Sequence, residues 1–279
     1  MDARAVINTN VASMRSEPGG RSEQVSQGLF GETVTVIDHS TDYSLIRTPD
    51  AYEGWTANHN ISILETGEVY PNPKSAALIA PLFEPLFKDP DIRSERITLL
   101  TLGSIIHVAQ EDMTRALIRI KVPNGDYGFV GRDSLIVPEY PDYISVGPNL
   151  AVVAHGLVGV PYLWGGRSSF GIDCSGFVQK VFWLCGHTIP RDAYVQAKHN
   201  AFESVERENL KAGDLIFFAG DHDPRGRGIT HVGMYFGNGR FIHATGEQGV
   251  TIMPLAAEPY SRQFKCARRL SAFSRPAVG

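Results

Sequence analysis

Hydrophobic and polar positions alternate in short runs through the first half of the chain. Stretches such as 33–37 and 43–47 are rich in β-branched and aromatic residues and are separated by Pro, Gly and Asp. Runs of this length with period-two alternation are typical of half-buried β-strands. Helical spacing appears later, at 150–155 and again from Phe177 to Cys185. The pattern predicts an α+β chain with a strand-rich N-terminal half and a mixed C-terminal half.

An internal repeat organises residues 1–140. Most segments of the first copy return 72 residues later, as from residue 14 to residue 86, and the last one returns after an insertion. The segments matched at this shift are Met14–Pro18 with Leu86–Pro90, Ser22–Val25 with Ser94–Ile97, Gly31 with Gly103 and Leu45–Arg47 with Leu117–Arg119. After a three-residue insertion, Tyr52–Trp55 matches Tyr127–Phe129. A constant shift over so many positions indicates two copies of one supersecondary unit. Prolines at 71–73 and in 138–148 predict linkers after each copy.

Charge and cysteine content exclude several classes of protein. The chain has 279 residues, with 26 basic against 30 acidic side chains and a net charge of −4, which argues against a general nucleic-acid binder. Three cysteines are an odd number for a disulfide framework. No apolar run is long enough for a membrane span, and the N-terminus lacks a signal-peptide core. A trimmed leader would leave the same sequence, so both the cytoplasm and the cell envelope stay open as locations.

A glycine-rich, aromatic loop at 161–172 ends at Asp173 and Cys174. Asp173 is the predicted N-cap of the following helix, so Cys174 would lie in its first turn. Free backbone N–H groups and the helix dipole favour negative charge there, and we therefore expect a stabilised thiolate. The sequence predicts that Cys174 is a nucleophile. The alternative is that Cys174 is a small buried hydrophobic residue.

Two predicted strands, 229–236 and 240–245, flank Gly237-Asn-Gly239 and indicate a hairpin. With a three-residue loop, residue 236 pairs with residue 240, and Gly233 then faces His243. His231 shares that face because side chains alternate along a strand. A two-residue loop would instead send the two histidines to opposite faces. We predict the three-residue loop.

Cys174, His231 and His243 are the three residue types that thiol catalysis requires. A cysteine nucleophile needs a base to take its proton and return it to the leaving amine, and the base needs a third polar group that fixes its tautomer. The cysteine lies at a predicted helix start, and both histidines lie on predicted strands that could pack against it. Cys185 and Cys266 have no basic neighbour of this kind, and we expect both to belong to the core.

Five segments resemble a known family. They are Pro161–Gly166, Ile172–Phe177, Gly213–Phe217, His231–Tyr235 and Phe241–Ala244. In this order they are similar to the motifs of the NlpC-type, papain-like cysteine peptidases of bacterial cell walls. The upstream Gly-x-x-Val-x-Val and Gly-Trp strands resemble bacterial SH3-like barrels, with a divergent second copy that could be only a packing module. The resemblance implies two small SH3-like β-barrels, at 1–68 and 74–139, followed by a papain-like α+β catalytic domain at 145–279.

The combination of barrels and peptidase motifs resembles the γ-D-glutamyl-L-diamino acid endopeptidases of the dipeptidyl-peptidase VI type. These enzymes cut murein peptides between D-Glu and the diamino acid. The resemblance implies Cys174 as nucleophile, His231 as base and His243 as the orienting residue. It further implies Tyr162 as an oxyanion donor and Trp164, Asp173 and Ser175 as cleft residues.

The free amine of an N-terminal L-Ala would be bound in such enzymes by an acidic residue and a tyrosine of the first barrel. Glu17 and Tyr52 are our candidates, with Glu23 as a second acidic candidate; Glu17 could also be a solvated turn residue. A carboxylate in a partly buried pocket suits an ammonium because the hydrogen bond is charge-assisted. The resemblance implies a murein peptide as partner, no cofactor or metal, no nucleic acid and a monomer.

Two other functions are compatible with part of this sequence. One is a wall-binding protein whose peptidase domain is inert, which the three occupied catalytic positions disfavour. The other is a catalytic zinc site built from Cys174, His231 and His243 with an open fourth position. No Cys-x-x-Cys or His-Glu-x-x-His spacing supports the zinc site.

Overall fold

The computed structural model describes residues 3–109, 113–137, 149–223 and 225–271, and the predicted linker Pro138–Pro148 lies outside them. The chain divides into two compact units. The first comprises Met1–Val146 together with Trp164–Phe170, and the second comprises Gly147–Leu163 and Gly171–Gly279. Strands and helices coexist in the chain, so the predicted α+β class is confirmed. Within the described residues, no helix has the length and apolar character needed to cross a membrane.

The first unit contains two seven-stranded antiparallel sheets. The first sheet consists of β1 (Ala3–Ile7), β2 (Val11–Arg15), β3 (Gln24–Leu29), β4 (Thr33–His39), β5 (Tyr43–Arg47), β6 (Glu53–Ala57) and β7 (Ile61–Ile63). The second consists of β8 (Ala76–Ile79), β9 (Phe83–Phe87), β10 (Arg96–Thr101), β11 (Ile105–Val108), β12 (Leu117–Lys121), β13 (Tyr127–Gly131) and β14 (Leu135–Ile136). Their spatial orders are β3-β2-β6-β5-β4-β1-β7 and β10-β9-β13-β12-β11-β8-β14. The two orders are the same, which confirms the predicted repeat.

The register of the two sheets corrects one part of the repeat. Thr35 pairs with Arg47 in the first sheet, and His107 pairs with Lys121 in the second. The first members of these pairs are 72 residues apart and the second members are 74 apart (107 − 35 and 121 − 47). The extra residues therefore lie before β12 and not after it. A shift of two leaves every side chain on the same face of its strand, so the hydrophobic pattern could not reveal the difference.

A residue of the first copy completes the core of the second sheet. Phe30, in the turn after β3, is buried among side chains of the second sheet, including Leu100 and Ile106. The Ile105 N–H donates to the Phe30 carbonyl at 2.9 Å. The next residue, Gly31, has φ +78°, and a Cβ there would overlap the Ile105 carbonyl. The two copies are thus joined by a shared core residue and a backbone contact that only glycine allows.

The second unit is built around one buried helix. Its helices are α1 (Leu150–His155), α2 (Cys174–Leu184), α3 (Ala193–Gln196) and α4 (Tyr260–Gln263). The remaining strands of the chain are β15 (Arg167–Ser168), β16 (Gly171–Ile172), β17 (Phe202–Val205), β18 (Leu215–Phe218), β19 (His231–Gly237), β20 (Arg240–Thr245), β21 (Gly249–Pro254) and β22 (Phe264–Leu270). Six of them form an antiparallel sheet in the order β17-β22-β18-β19-β20-β21. Helix α2 packs against β19 and β20, and all its residues except Trp183 are buried.

The β19–β20 hairpin differs from the prediction at its loop but not beyond it. Gly237 pairs with Arg240 around Asn238 and Gly239, whose φ angles are 52° and 69°. Two positive φ angles are typical of a two-residue hairpin turn, so the predicted three-residue loop is wrong. Phe236, however, forms a β-bulge, and the next pair is Tyr235 with Phe241. The bulge takes up one residue and restores the predicted register for the rest of the hairpin.

Candidate active site

Cys174 is the first residue of α2. The predicted N-cap is confirmed, because the Asp173 carboxylate accepts the Gly176 N–H at 2.7 Å. The Cys174 sulfur accepts hydrogen bonds from the backbone N–H groups of Ser175 and Val232. Val232 directly follows His231 on β19, so the helix start meets the sheet beside the predicted base. This contact places the sulfur at the helix start next to that strand.

The two histidines face one another. Nε2 of His231 and Nδ1 of His243 are 2.8 Å apart, and His243 is fully buried. Gly233 makes room for this arrangement, because a Cβ there would lie 3.1 Å from the His243 Cβ. The hydrogen bond engages Nε2 of His231, which leaves its Nδ1 as the nitrogen available to a thiol. The shared face predicted for the two histidines is therefore confirmed.

Burial governs the protonation of this site. It raises the pKa of the Cys174 thiol to about 12, an effect that the Asp173 charge reinforces and that the Val232 N–H, Arg191 and the Ser175 N–H oppose. Burial also lowers the pKa of His231 to about 4 and that of His243 to about 3. At neutral pH the substrate-free site therefore holds a thiol beside a neutral imidazole. The expected resting thiolate is wrong, because desolvation outweighs the helix start.

A buried ion pair flanks the nucleophile. Arg191 donates to both Asp173 carboxylate oxygens, at 3.0 and 2.6 Å, and to the Ser175 hydroxyl at 2.8 Å. The Gln196 side chain supports this arrangement by donating to the Ser175 carbonyl at 3.1 Å and to the Pro190 carbonyl at 2.8 Å. One guanidinium thus fixes the residues on both sides of Cys174. Asp173 and Ser175 were predicted from the sequence, whereas Arg191 was missed.

Tyr162 lies in the second unit, like Cys174, and interacts electrostatically with it. It forms a parallel bridge with Ile172, just before the N-cap of α2. Burial raises the pKa of its phenol, and negative charge on an ionised Cys174 or on Asp173 raises this pKa further. The hydroxyl therefore stays protonated at neutral and moderately basic pH. A protonated hydroxyl is what an oxyanion donor requires.

The other predicted substrate residues belong to the first unit. The Trp164 indole N–H donates to the Glu23 carboxylate at 2.9 Å, and the Trp164 carbonyl accepts from Gln24 at 2.8 Å. Glu17 is exposed in the turn after β2. Tyr52 packs against the apolar core of the first sheet. Glu23, the second acidic candidate, thus binds the predicted cleft tryptophan, and Glu17 keeps an exposed carboxylate.

No cluster of three or more His, Cys, Asp or Glu in the described part of the chain could hold a metal ion. His231 and His243 hydrogen-bond to each other, whereas the ligands of one metal would point to a common centre. The zinc alternative for Cys174 and these histidines therefore lacks its ligand set.

Three residues of this site carried no usable sequence signal. Arg191 and Gln196 lie in a polar stretch around α3, and Tyr260 opens the short helix α4. The Tyr260 ring lies at right angles to the His243 ring, with centroids 4.8 Å apart. Each of the three reaches the site through tertiary packing, which spacing along the chain does not encode.

The chain is similar to known peptidases of bacteria. Residues 159–269 match the NlpC/P60 family, and residues 10–62 match the bacterial SH3 domain. Over 262 residues it is 29% identical to a γ-D-glutamyl-L-lysine dipeptidyl-peptidase of Bacillus cereus. This alignment covers 88% of this chain and 74% of that protein. Over 248 residues it is 26% identical to dipeptidyl-peptidase 6 of Lysinibacillus sphaericus, which covers 86% of this chain and 87% of that protein.

A solved structure has the same fold. It is the crystal structure of an NlpC/P60 family protein from Bacillus cereus, with a TM-score of 0.81 and 24% identity. The match covers 96% of this chain and 99% of that one. The motifs around Cys174, the His231–His243 pair and these similarities agree: the chain contains an NlpC/P60 domain, preceded by a bacterial SH3 domain.

Proposed function

We propose that this protein is a cysteine peptidase that hydrolyses the γ-D-glutamyl–diamino acid bond of murein peptides with a free N-terminal L-Ala. The observation that carries the proposal is the hydrogen-bonded pair of His231 and His243 beside a cysteine at a helix start. The Bacillus cereus relative, which matches most of the chain, is named for a γ-D-glutamyl-L-lysine bond, and the Lysinibacillus sphaericus relative is named a dipeptidyl-peptidase; both names favour this specificity.

The reaction begins from a neutral site. As the Cys174 sulfur attacks the γ-carbonyl of D-Glu, Nδ1 of His231 takes the thiol proton. The S–H bond breaks while the C–S bond forms, so no free thiolate accumulates. The backbone N–H of Cys174 and the hydroxyl of Tyr162 are the donors proposed for the oxyanion. His231 then returns the proton to the departing amine of the diamino acid, and a thioester remains. Water, activated by the same imidazole, hydrolyses the thioester and restores the thiol.

Arg191 serves this chemistry indirectly. Its guanidinium holds Asp173, which caps α2, and Ser175, whose N–H contacts the sulfur. A shift of either residue would move the nucleophile relative to His231. Arg191 is therefore a positioning residue of the proposed mechanism.

The proposed domains are barrels at 1–68 and 74–139 and a peptidase domain at 145–279. The first barrel is proposed to bind the free amine of the substrate. Glu17 and Tyr52 are the proposed amine-binding residues. Glu17 has an exposed carboxylate and not the partly buried one expected, so its charge alone supports this role, since an ammonium and a carboxylate form a charge-assisted hydrogen bond. An acylated N-terminus would lack both the charge and the donors.

Two cysteines, one at each end of α2, provide a matched test of the nucleophile: Cys174 begins the helix and Cys185 is its C-cap. Cys174→Ala should abolish release of L-Ala-D-Glu from L-Ala-γ-D-Glu-diaminopimelate. The released product is measured by mass spectrometry. Cys185→Ala removes a buried thiol at the other end of the same helix and should retain turnover. Turnover by the Cys174→Ala protein would contradict the thiol mechanism. If the unsubstituted protein itself neither hydrolyses the peptide nor forms a thioester, the inert wall-binding alternative would be favoured.

The substrate is tested separately from the chemistry. We expect the N-acetylated peptide to be hydrolysed much more slowly than the free peptide, with Glu17→Gln reducing the difference. Equal rates on the two peptides would reject the amine site and leave the cysteine mechanism intact. Hydrolysis of a different murein bond in the same mixture would reject the proposed specificity.

A further inference from the structure

The hydrogen bond between the histidines leaves one ring nitrogen unexplained. Nε2 of His243 is fully buried and has no hydrogen-bond partner among the residues that the structure describes. A buried polar atom without a partner costs free energy and calls for a physical reason. This atom lies directly behind the proposed base, on the residue that orients it.

Aromatic rings surround the His243 imidazole. The Phe241 ring lies with its centroid 4.3 Å from that of His243, tilted by 40°. The Tyr260 ring is perpendicular to the imidazole, at 4.8 Å. The faces of such rings carry partial negative charge. An N–H group is attracted to such a face, whereas a bare nitrogen lone pair is repelled by it.

Neutral histidine has two tautomers, and only one combination suits catalysis. If His243 carries its proton on Nε2, its Nδ1 accepts the Nε2–H of His231, and Nδ1 of His231 is free to take the thiol proton. If His243 carries its proton on Nδ1, the bond is reversed and the proton of His231 moves to Nδ1. The base is then blocked.

We propose that Tyr260 is a positioning residue whose ring face receives the Nε2–H of His243 and thereby selects the tautomer that leaves His231 free to act as a base. The proposal rests on the catalytic roles given above. Phe241 packs against the same imidazole, and Nε2 has no conventional acceptor among the described residues.

The Tyr260 ring is held in place by neighbours other than the histidines. It meets Phe218 and Phe241 edge to face, with centroids 5.4 and 5.1 Å apart, within one apolar cluster of the sheet. The inferred interaction needs the ring face and not the phenol hydroxyl. Phenylalanine should therefore substitute for Tyr260, and an aliphatic residue of similar size should not.

The tautomer can be measured in the full-length protein without substrate. Long-range proton–nitrogen NMR of histidine labelled with 15N, with His243 assigned by comparison with His243→Gln, should show a protonated Nε2 and an unprotonated Nδ1. The Nε2 proton should be displaced upfield by the Tyr260 ring. A protonated Nδ1 on His243 would overturn the proposal, whether or not the protein hydrolyses murein peptides.

Variants separate the ring's role from simple packing. Tyr260→Leu should mix the two tautomers and lower kcat by about two- to fivefold with KM unchanged, the effect of one N–H to ring contact. Tyr260→Phe should rescue both the tautomer and kcat. Tyr235→Leu is the matched control, because Tyr235 packs in the same cluster on the strand position paired with Phe241.

Three results would refute this role for Tyr260. The first is an unchanged His243 tautomer in Tyr260→Leu. The second is a Tyr260→Phe protein that behaves like Tyr260→Leu, and the third is an equal change in Tyr235→Leu. If no variant hydrolyses any murein peptide while the tautomer still responds to Tyr260 as described, the proposed function fails and the positioning contact stands.

Discussion

The ion pair between Asp173 and Arg191 offers the sharpest test of how the nucleophile is held. Their side chains are 9% and 1% exposed, and the two hydrogen bonds between them are 3.0 and 2.6 Å long. Arg191→Met would leave a buried carboxylate without its cation. Breaking a buried pair in this way costs about 3–5 kcal/mol. The helix that bears Cys174 should therefore open far more often.

The partner variant tests whether this cost arises from the pair. Asp173→Asn keeps a good N-cap for α2 but strands the guanidinium in the interior, so a loss of about 3–5 kcal/mol is expected again. In the double variant neither charge remains. Its loss should fall short of the sum of the two single losses by about 2 kcal/mol or more, since each single variant contains the same uncompensated burial.

Hydrogen exchange measured by mass spectrometry reports the local stability of α2 in the full-length chain. A loss of about 3 kcal/mol corresponds to exchange of the α2 amides accelerated by about 100-fold. Arg262→Met is the matched control, because its ion pair with Asp221 is as short, at 2.7 Å, but 59% exposed at the arginine. That variant should leave α2 exchange unchanged. Less than tenfold acceleration in Arg191→Met, or strictly additive single variants, would refute the reasoning.

Three further predictions concern the histidines and the first unit. His231→Ala should lower kcat/KM by about 100-fold or more, as loss of a general base does, and His243→Ala should lower it less, since water can partly replace an orienting residue; equal losses would contradict these roles. The pKa values of His231 and His243 are lowered to about 4 and about 3, so the unfolded chain binds protons more readily than the folded one between pH 4 and 6.5. The melting temperature should therefore be constant above about pH 6.5 and fall as the pH drops towards 4. A rise in melting temperature over that window would contradict the buried neutral pair. Phe30→Ala should cost about 3–5 kcal/mol and accelerate amide exchange in the second sheet, whereas a change confined to the first sheet would contradict a shared core.

Local rules explain which parts of the site could be predicted. The N-cap at Asp173 and the first-turn position of Cys174 follow from residues next to one another in the sequence, and both are present. The repeat follows from a constant spacing, and its strand order is present in both sheets. The charge state of Cys174 could not be predicted in the same way, because the helix start is local whereas the burial that outweighs it comes from the whole unit.

Residues that act across the fold were beyond the sequence pattern. Arg191 is a charged residue after a proline, a context that usually indicates a solvated turn, and yet it is only 2% exposed. Phe30 belongs by sequence to the first copy of the repeat and by packing to the second sheet. Tyr260 lies in a four-residue helix without amphipathic spacing. In each case the contact is decided by where distant segments meet.

The bulge at Phe236 decides whether the two histidines meet, and deletions around it test this directly. Removing Phe236 alone should leave a plain two-residue hairpin that still pairs Tyr235 with Phe241, so the histidine bond and hydrolysis should persist. Removing Gly237 as well shifts the pairing by one residue and turns His231 and His243 to opposite faces, which should abolish hydrolysis. Both proteins keep the Asn238–Gly239 turn and differ by one residue, so a shortened hairpin by itself cannot explain a difference between them. Hydrolysis by the double deletion, or its loss in the single one, would mean that register does not bring the base to its orienting partner.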